Sequence, residues 1–564
     1  MIRRFSTFCL AAAQLAVFTQ SSLANDSADL VLRNGTIVTM DEARPAAEAL
    51  AISDGRIVAV GSDEDIENLV RPDTEVLDLG GRTVIPGLVD THIHAIRGGQ
   101  TYPFETYWHD ETSLASALEA LKTAARDRAR DQWVAVVGSW HPDQFAERRA
   151  PDVADLDKTL PQTPAYVQYL YDYALVNTKG IELLALDSAA PKLPPGITIE
   201  RNEESRATGR LFGNIGSFNV LFGQLSAIGK NERKANLKVF FSHLNAVGVT
   251  GFIDPSAGPA VGYEPFFALR DEGGLTLRAG YRIPAAHPGK EAEWFREIMS
   301  FRPAVHDDGT LSFLGLGESL VFAMNDGVQM GPGFAPPKEA RDELLKVAQF
   351  AAERRIPVEI HAYTDDAASA ILDVFEEVHK THPLNDLRWS IAHLNTGSER
   401  TLDRMQKMGL AYTVQMGPYF EGAAIADANG TAVAAVSPPT RLAIDKGLLV
   451  AGGTDSTRIG VAGVWQAIEY HLTGRSLGGT VQKASDQLLT REEALRLYTR
   501  NAAWIAFAEE DRGTLSAGKR ADLAVLDKPY MTMPVDEIDT IRSVLTLLGG
   551  KVVYDAGALR SAEQ

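Results

Sequence analysis

Cysteine is almost absent from this sequence: Cys9 is the single cysteine among 564 residues. It lies in an N-terminal segment that we expect to be removed from the mature protein. A mature chain without a thiol forms no disulfide and has neither a cysteine nucleophile nor a thiolate ligand for a metal. These three kinds of chemistry are therefore excluded.

Positive charge is also in short supply. The chain has 55 lysines and arginines against 74 aspartates and glutamates, which gives a formal net charge of −19 and a pI near 5.2. Nucleic acid and anionic membrane surfaces repel such a chain, so neither is expected as a partner. The composition, 45% hydrophobic and 23% charged, is that of a soluble globular protein with a large core. The charge does not identify a substrate, and the oligomeric state, including a homo-oligomer, stays open.

The N-terminus has the layout of a secretory signal peptide. Residues 1–4 are a short basic region, residues 5–18 are mostly apolar, and Ser22-Leu23-Ala24 has small residues at both ends of a cleavage motif. The apolar run is too short to span a membrane. We therefore expect a signal peptide over residues 1–24 and a periplasmic or secreted mature protein without stable membrane association. The general secretory and twin-arginine routes both remain open.

The two ends of the mature chain share a β-rich texture. Short alternating segments fill residues 25–85, where Asn34-Gly35 and Asp54-Gly55 predict hairpin turns between antiparallel strands. Alternation returns in residues 513–564, for example in ADLAVLD and VLTLLGGKVVYD. We predict that both ends join into one small β-sandwich that flanks a central domain.

Residues 86–512, between these ends, alternate strands with amphipathic helices, which predicts βα units around a parallel sheet. The helix expected over Glu339–Arg355 places Leu344 and Ala348 on one face. Eight candidate strands match the number in a (β/α)8 TIM barrel, so the predicted fold class is α/β with such a barrel. Residues 96–246 are interpreted as an insertion that caps the active face. The eight segments are VIPGLVDTHIH, GVTGFIDP, TLRAGYRI, LSFLGLGE, IPVEIHA, LRWSIAHL, AYTVQMGP and LLVAGGTDS.

The first of these strands ends in a His-x-His pair, His92 and His94. Because side chains alternate along a strand, residues i and i+2 lie on one face, and both imidazoles point the same way. Two converging imidazoles are half of a site for a borderline metal such as zinc. Two chance histidines on a polar loop would give the same pattern, so the other strand ends decide.

Three more strands close on residues of the same kind. His361 ends the fifth strand, His393 ends the sixth, and Asp455 follows the eighth. In a TIM barrel the reactive groups lie at the C-terminal ends of the strands, so these side chains are expected to meet at one face. Four histidines and an aspartate predict a metal site, with zinc as the first choice and manganese or iron as alternatives.

On these motifs the sequence resembles the amidohydrolase superfamily, and within it the YtcJ-like amidohydrolase-3 group. The resemblance covers nearly the whole mature chain and includes PGLVDTHIH, IHAYTDDA, the strand-six histidine, the GTDS block and GTLSAGKRADLAVLD. It implies a (β/α)8 barrel with a flanking β-sandwich and one or two divalent metal ions, usually zinc. It also implies hydrolysis of an amide-like C–N bond.

The resemblance also implies a role for each residue. His92 and His94 would hold the more buried metal. His361 and His393 would hold a second metal or, beside a single metal, orient the water, which makes His393 a catalytic candidate. Asp455 would be both a ligand and the proton shuttle. The chemistry agrees, because a divalent cation acidifies its water and a carboxylate can pass that proton to the leaving nitrogen.

The chain departs from the family pattern in two places. Many relatives carry a lysine on strand four, whereas this strand, LSFLGLGESL, ends at Glu318. Glu318 either bridges two metals or only hydrogen-bonds a ligand histidine or the substrate. Where relatives often show a DGH-like block, this chain has YLYDYALVN, with Asp172 near that place. We take Asp172, His141 of the insertion and Gln415 at the end of strand seven as candidate substrate-binding residues.

The combined prediction is an exported, metal-dependent amidohydrolase that cleaves an amide or cyclic-amide C–N bond of a small molecule with a metal-activated water. Two alternatives stay open. One is a deaminase of an aminated ring, which needs the same activated water. The other is a non-catalytic periplasmic binding protein on the same fold, although the retention of every ligand residue and of Asp455 weighs against it.

Overall fold

A computed structural model describes residues 27–561 apart from residues 127, 130, 257–261 and 301–308, and at residues 560 and 561 it describes the backbone alone. The predicted signal peptide, residues 1–24, lies outside the described residues. Within the described part of the chain, no helix is both long enough and apolar enough to cross a lipid bilayer.

The first described segment consists of short strands. In chain order its elements are β1 (Leu30–Arg33), β2 (Thr36–Val38), β3 (Ala46–Ala47), β4 (Ala49–Ser53), β5 (Arg56–Gly61), α1 (Asp63–Glu67), β6 (Glu75–Asp78) and β7 (Thr83–Pro86). The predicted Asp54-Gly55 hairpin is confirmed, since β4 and β5 pair antiparallel across it. The hairpin predicted at Asn34-Gly35 is wrong, because β1 and β2 belong to different sheets and the turn carries the chain from one sheet to the other.

Residues 95–246 follow the strand β8 (Leu88–Asp90). Their strands form a separate sheet, to which β8 does not belong. The elements of this segment are α2 (Ala95–Gly99), α3 (Leu114–Ala125), β9 (Val134–Val137), α4 (Val153–Thr159), β10 (Ala165–Tyr169), β11 (Tyr173–Val176), α5 (Thr178–Leu183), β12 (Thr198–Arg201), β13 (Ala207–Phe212), α6 (Ile215–Ser226) and α7 (Lys230–Ala246). The five strands of the sheet lie in the order β12-β13-β11-β10-β9.

The central part alternates parallel strands with helices, which confirms the α/β class. Its strands are β14 (Val249–Asp254), β15 (Arg278–Ile283), β16 (Leu311–Leu316), β17 (Glu359–Ala362), β18 (Ser390–His393), β19 (Ala411–Val414) and β20 (Val450–Gly452). Its helices are α8 (Glu264–Asp271), α9 (Glu291–Ile298), α10 (Lys338–Glu353), α11 (Asp365–His379), α12 (Glu399–Lys407), α13 (Gly417–Asn429), α14 (Thr431–Ala434), α15 (Thr440–Asp445), α16 (Val464–Thr473), α17 (Arg491–Leu497) and α18 (Arg500–Ile505).

All eight predicted strand segments are present, in two four-stranded parallel sheets with the orders β16-β15-β14-β8 and β17-β18-β19-β20. A parallel bridge between Leu316 and Val358 connects β16 to the residue before β17. At the other side, Thr91 N donates to Gly452 O at 3.1 Å, so the ends of β8 and β20 are also linked. The strand ends that carry the candidate ligands therefore lie side by side.

The predicted helix over 339–355 is confirmed as α10, which packs on this sheet system through its apolar face. Leu344, Val347, Ala348 and Ala351 are fully buried there. Each large apolar side chain removed from water in this way contributes roughly 1.5–3 kcal/mol. The same buried cluster includes side chains of β17 to β20, so the helices fix the strands whose ends carry polar residues.

The C-terminal strands β21 (Leu523–Leu526), β22 (Ser543–Leu548), β23 (Lys551–Asp555) and β24 (Arg560–Ser561) complete two further sheets. Their orders are β24-β6-β1-β4-β5 and β23-β22-β21-β7-β2-β3, so each sheet draws strands from both ends of the chain. Apolar side chains of both sheets, among them Leu32 and Leu523, share one buried cluster. The antiparallel pairing predicted for the N-terminal strands holds only in part, since β4 pairs antiparallel with β1 and β5, whereas β1 pairs with β6, and β2 with β7, in parallel.

Candidate metal centre

The six predicted metal ligands all lie at the C-terminal ends of parallel strands. Because such ends meet along one edge of a sheet, residues far apart in sequence become neighbours. The six residues stand on or just after β8, β16, β17, β18 and β20, and five of them have 8% or less of their surface exposed. They are His92, His94, Glu318, His361, His393 and Asp455.

Glu318 is the centre of this cluster. Its Oε2 lies 3.0 Å from Nε2 of His393, 3.2 Å from Nδ1 of His361 and 3.5 Å from Nε2 of His92. Its Oε1 lies 3.5 Å from Nε2 of His94. One carboxylate therefore reaches all four histidines that the sequence singled out.

Asp455 approaches the same histidines from the end of the last parallel strand. Its Oδ1 lies 3.3 Å from Nε2 of His94, and its Oδ2 lies 3.8 Å from Nδ1 of His393. Two triads have ligand atoms that all lie within 4.8 Å of one another, namely His92–Glu318–His393 and His92–His94–Asp455. His92 belongs to both triads, and His361 to neither.

The backbone at two of these ligands is held in an unusual conformation. His393 has a φ of 71° and Asp455 a φ of 56°, the left-handed region that costs a residue with a Cβ about 1–2 kcal/mol. Hydrogen bonds maintain both positions: His393 N donates to the side-chain oxygen of Gln415, and Asp455 N donates to His92 O at 2.8 Å. The surrounding structure thus keeps both side chains aimed at the cluster.

The surroundings of His92 test whether these residues fit a cation. Nδ1 of His92 lies 3.0 Å from a carboxylate oxygen of Glu359, and an ionised carboxylate only accepts, so Nδ1 carries the proton. In the neutral ring, the form that binds a metal, Nε2 presents its lone pair to the cluster; this atom is buried and has no hydrogen-bond partner among the described residues. A buried polar atom left in this way is costly unless a ligand meets it. The donor set of imidazoles and carboxylates fits a divalent metal ion such as zinc.

The charges of the cluster agree with this fit. Burial lowers the pKa of His92, but the carboxylates of Glu318 and Glu359 outweigh that effect and raise it to about 9. Burial also lowers the pKa of His361, and Asp326 and Glu318 raise it to about 10. Burial raises the pKa of Glu318, yet the adjacent histidines hold it well below its usual range. The carboxylates therefore stabilise positive charge at His92 and His361, whereas burial and the neighbouring His361 lower the pKa of His393 to about 4.

Two carboxylates behind the ligands were not predicted from the sequence. Glu359 is fully buried and also accepts hydrogen bonds from the hydroxyls of Ser390 and Thr413. Asp326 lies 3.3 Å from Nε2 of His361 and accepts from the backbone N–H of Tyr363. Glu359 could have been found in the sequence, because it is a charged residue inside the apolar segment IPVEIHA. It stands two residues before His361 and therefore on the same face of the strand. Asp326 stands in a loop that gave no signal.

The three predicted substrate-binding residues lie apart from the cavity at the cluster. The side chain of Gln415 is buried and accepts from His393 N. His141 precedes a short 3₁₀ turn, where its ring nitrogen accepts from Asp143 N at 3.1 Å. Asp172 is exposed. Among the described residues, none of the three lines the cavity, and their role in substrate binding stays a prediction.

The cavity itself has a volume of about 130 Å³ and opens onto five of the six candidate ligands. Such a space accommodates a small molecule. Besides the ligands, its wall includes Arg97, Tyr171, Ser319, Asn325, Tyr363 and Arg458.

Residues of the 95–246 segment hold the loop that follows Asp455. Nη1 of Arg458 lies 2.9 Å from each carboxylate oxygen of Glu105, and both side chains are almost completely buried. Ser139 Oγ donates to Gly460 O at 2.8 Å. The segment thus fixes one wall of the cavity.

The sequence is similar to known proteins along most of its length. The model of the family described as "Amidohydrolase family" matches residues 75–554. N-substituted formamide deformylase from Arthrobacter pascens is 24% identical over 552 residues, which cover 93% of this chain and 98% of that protein. The putative amidohydrolase YtcJ from Bacillus subtilis is 24% identical over 549 residues, covering 93% of this chain and 99% of that protein.

Solved structures agree in fold. An uncharacterised metal-dependent hydrolase from Pyrococcus horikoshii has a TM-score of 0.64 at 21% identity, covering 90% of this chain and 99% of that one. A variant of atrazine chlorohydrolase from Arthrobacter aurescens, in complex with zinc and atraton, has a TM-score of 0.53 at 15% identity. That match covers 93% of this chain and 95% of the chlorohydrolase. At these identities the two structures establish the fold alone.

Proposed function

We propose that the bond this enzyme cleaves is an amide or cyclic-amide C–N bond of a small molecule. The chain belongs to the amidohydrolase family and is a metal-dependent hydrolase acting on C–N bonds. The observation that carries this proposal is the buried Nε2 of His92, which has no hydrogen-bond partner among the described residues and faces two carboxylates and two further imidazoles. This arrangement of donors suits a divalent cation.

The residues that would hold the metal follow from the two triads. His92, His94 and Asp455 would form one ligand set, and Glu318 and His393, with His361 beside them, would complete a second set or orient the water of a single metal. Zinc is our first choice, because imidazole nitrogens and carboxylate oxygens are among its usual ligands. A divalent cation held there would bring the pKa of a water close to neutrality and polarise the scissile carbonyl.

Asp455 would carry the proton in the reaction. The histidines around it hold its pKa below the usual range despite the opposing effect of burial, so the carboxylate is ionised and can accept. In our mechanism Oδ2 takes a proton from the attacking water as the C–O bond forms, and returns it to the nitrogen as the C–N bond breaks. His393, 3.8 Å from Oδ2, would keep this oxygen in position.

We further infer that β8 and β14 to β20 close into one (β/α)8 barrel and that the two terminal sheets form the flanking sandwich. The hydrogen bonds at both seams between the four-stranded sheets support closure. The buried cluster common to the terminal sheets supports the sandwich. On this division residues 25–85 and 513–564 form the sandwich, residues 86–512 form the barrel, and residues 96–246 form its cap.

Export is a separate proposal that rests on the sequence of residues 1–24. We expect cleavage after Ala24 and a periplasmic or secreted mature protein. N-terminal sequencing of the protein from cell fractions tests this. A mature chain that begins at Asn25 outside the cytoplasm supports export, whereas an intact chain confined to the cytoplasm contradicts it.

The experiment that tests the function is a product screen with the metal-loaded mature protein. N-formyl, N-acyl and cyclic amides are offered together with aminated heterocycles, and free amines and ammonia are measured separately. We expect release of amines or ring-opened acids, and turnover by Asp455→Asn that is lower by about 10²- to 10⁴-fold. Ammonia from the heterocycles alone would favour a deaminase. Absence of any product with any of these classes would contradict the proposal.

A further inference from the structure

Arg97 places on the wall of the cavity a cation that has no partner in the part of the chain that the structure describes. It stands in α2, in the first turn after the ligand His94, and lines the cavity together with Glu318 and Asp455. Its Nε is buried and has no hydrogen-bond partner, and none of its nitrogens makes a hydrogen bond or an ion pair with any described residue. A guanidinium in this position is left with donors that require acceptors.

The second arginine of the cavity wall is different. Arg458 is paired with Glu105 through contacts of 2.9 Å to both carboxylate oxygens. The charge of Arg97 lowers the pKa of the buried Asp254, a smaller effect than the burial that raises it. Both oxygens of that carboxylate, however, accept backbone N–H groups, from Ile96 at 3.0 Å and from Ser256 at 3.3 Å. Arg97 is therefore the cation on this wall that is available to a ligand.

We propose that Arg97 binds a carboxylate of the substrate, so that the enzyme acts on amides that also carry an acid group, such as N-acyl amino acids. The planar guanidinium fork matches a carboxylate in shape and charge, and the hydrogen bonds between them are charge-assisted. The metal cluster and Arg97 line one small cavity, so the carboxylate and the scissile carbonyl belong to a single compact molecule. This inference rests on the proposed function, because it assumes that the reacting amide lies at the metal cluster.

The test uses ligands that separate the two sites. Monohydroxamates of malonic, succinic and glutaric acid chelate a divalent metal at one end and carry a carboxylate at the other, with three different spacings. The matched ligands have a neutral carboxamide in place of the carboxylate. Their dissociation constants are measured calorimetrically with the zinc-loaded wild type, with Arg97→Met, and with Arg400→Met, which removes an exposed arginine on α12.

We expect the acid of at least one spacing to bind the wild type and Arg400→Met about 10- to 100-fold more tightly than its amide, the range for a charge-assisted contact. In Arg97→Met this ratio falls to about one, and Arg97→Lys restores part of it. The zinc content of Arg97→Met is measured to verify that the variant is folded and loaded.

Three results would overturn the inference. If acid and amide bind the wild type equally at every spacing, Arg97 does not recognise a carboxylate, and the metal-dependent function remains intact. An acid preference that survives in Arg97→Met assigns the recognition to another residue. If no hydroxamate binds the zinc-loaded protein, the proposed metal centre fails, and this inference fails with it.

Discussion

The carboxylate of Glu359 lies 3.0 Å from Nδ1 of His92, and neither side chain is exposed to solvent. Glu359 is itself held by the hydroxyls of Ser390 and Thr413. This contact determines which nitrogen of His92 carries the proton and directs the other nitrogen to Glu318 and Asp455. A ligand that is oriented in advance binds a metal more tightly, because less ordering remains to be done when the metal arrives.

Glu359→Gln should weaken metal binding without removing it. Glutamine keeps the shape of the side chain but loses the charge that fixes the proton on Nδ1 of His92, and a change of this kind costs about 10- to 100-fold in metal affinity. Competition with a chelator measures the effect, with Glu353→Gln on the exposed face of α10 as the control. An unchanged affinity would mean that Glu359 has no influence on the ligand.

Glu318→Gln should lower the metal content of the purified protein. Glu318 touches all four histidines of the cluster, so the loss of its charge removes a ligand from the middle of the site. Elemental analysis and the substrate assay are carried out on the same sample. A full metal content with reduced turnover would assign Glu318 the lesser role of a hydrogen-bond partner.

Asp455→Asn should reduce kcat by about 10²- to 10⁴-fold, the usual contribution of a general acid–base residue, and should change KM much less. The amide side chain cannot take up the proton of the attacking water. Because Asp455 is also a candidate ligand, the metal content is measured together with the rates, and Asp386→Asn on the exposed surface is the control. An unchanged kcat in a metal-loaded variant would remove Asp455 from the proton transfer.

The ion pair between Arg458 and Glu105 should stabilise the protein as well as the cavity. Glu105→Gln would leave the Arg458 charge buried without its partner, for which the expected loss in the free energy of unfolding is about 3–5 kcal/mol. Denaturant unfolding measures this loss. Glu119→Gln, in an exposed pair with Lys122, should change the same quantity by no more than about 1 kcal/mol. Equal effects of the two substitutions would contradict the account of the buried pair.

Lys483 should make stability depend on pH above neutrality. Burial lowers the pKa of this lysine from 10.5 to about 7, so between pH 7 and 10 the folded chain has lost a proton that the unfolded chain still binds. Below pH 7 the buried charge lowers the free energy of unfolding by its full amount. As the pH rises, this loss is relieved by at most about 1.4 kcal/mol per pH unit. The stability of the wild type relative to Lys483→Met should therefore increase from pH 7 to pH 9. A difference that stays constant over this range contradicts the prediction.

The eight strands and the polar residues at their ends could be predicted because both signals are local. A buried parallel strand reads as an apolar run, and a histidine or carboxylate that closes the run marks the edge where strands of this kind carry function. Glu359 was within reach of the same reasoning, since it lies on the face of His361 in a segment already identified as a strand.

The features that the sequence did not reveal depend on distant parts of the chain. Asn34-Gly35 is a typical hairpin sequence, but the strand after it pairs with β7 rather than with β1. Tyr171 lines the cavity whereas its neighbour Asp172 does not, because the packing of the 95–246 segment on the strands decides which side chain points inward. The same holds for Arg97, whose significance lies in the partner that it lacks among the described residues.

Metal content per chain, measured on gently purified mature protein and on its His92→Ala variant, tests whether the cluster around Glu318 holds the catalytic metal. We expect one or two divalent ions, mainly zinc, in the wild type and their loss in His92→Ala with an unchanged circular dichroism spectrum. His382→Ala, outside the cluster, should keep the wild-type content. A wild type that takes up no metal even after reconstitution, or a His92→Ala variant that keeps all of it, would contradict the claim.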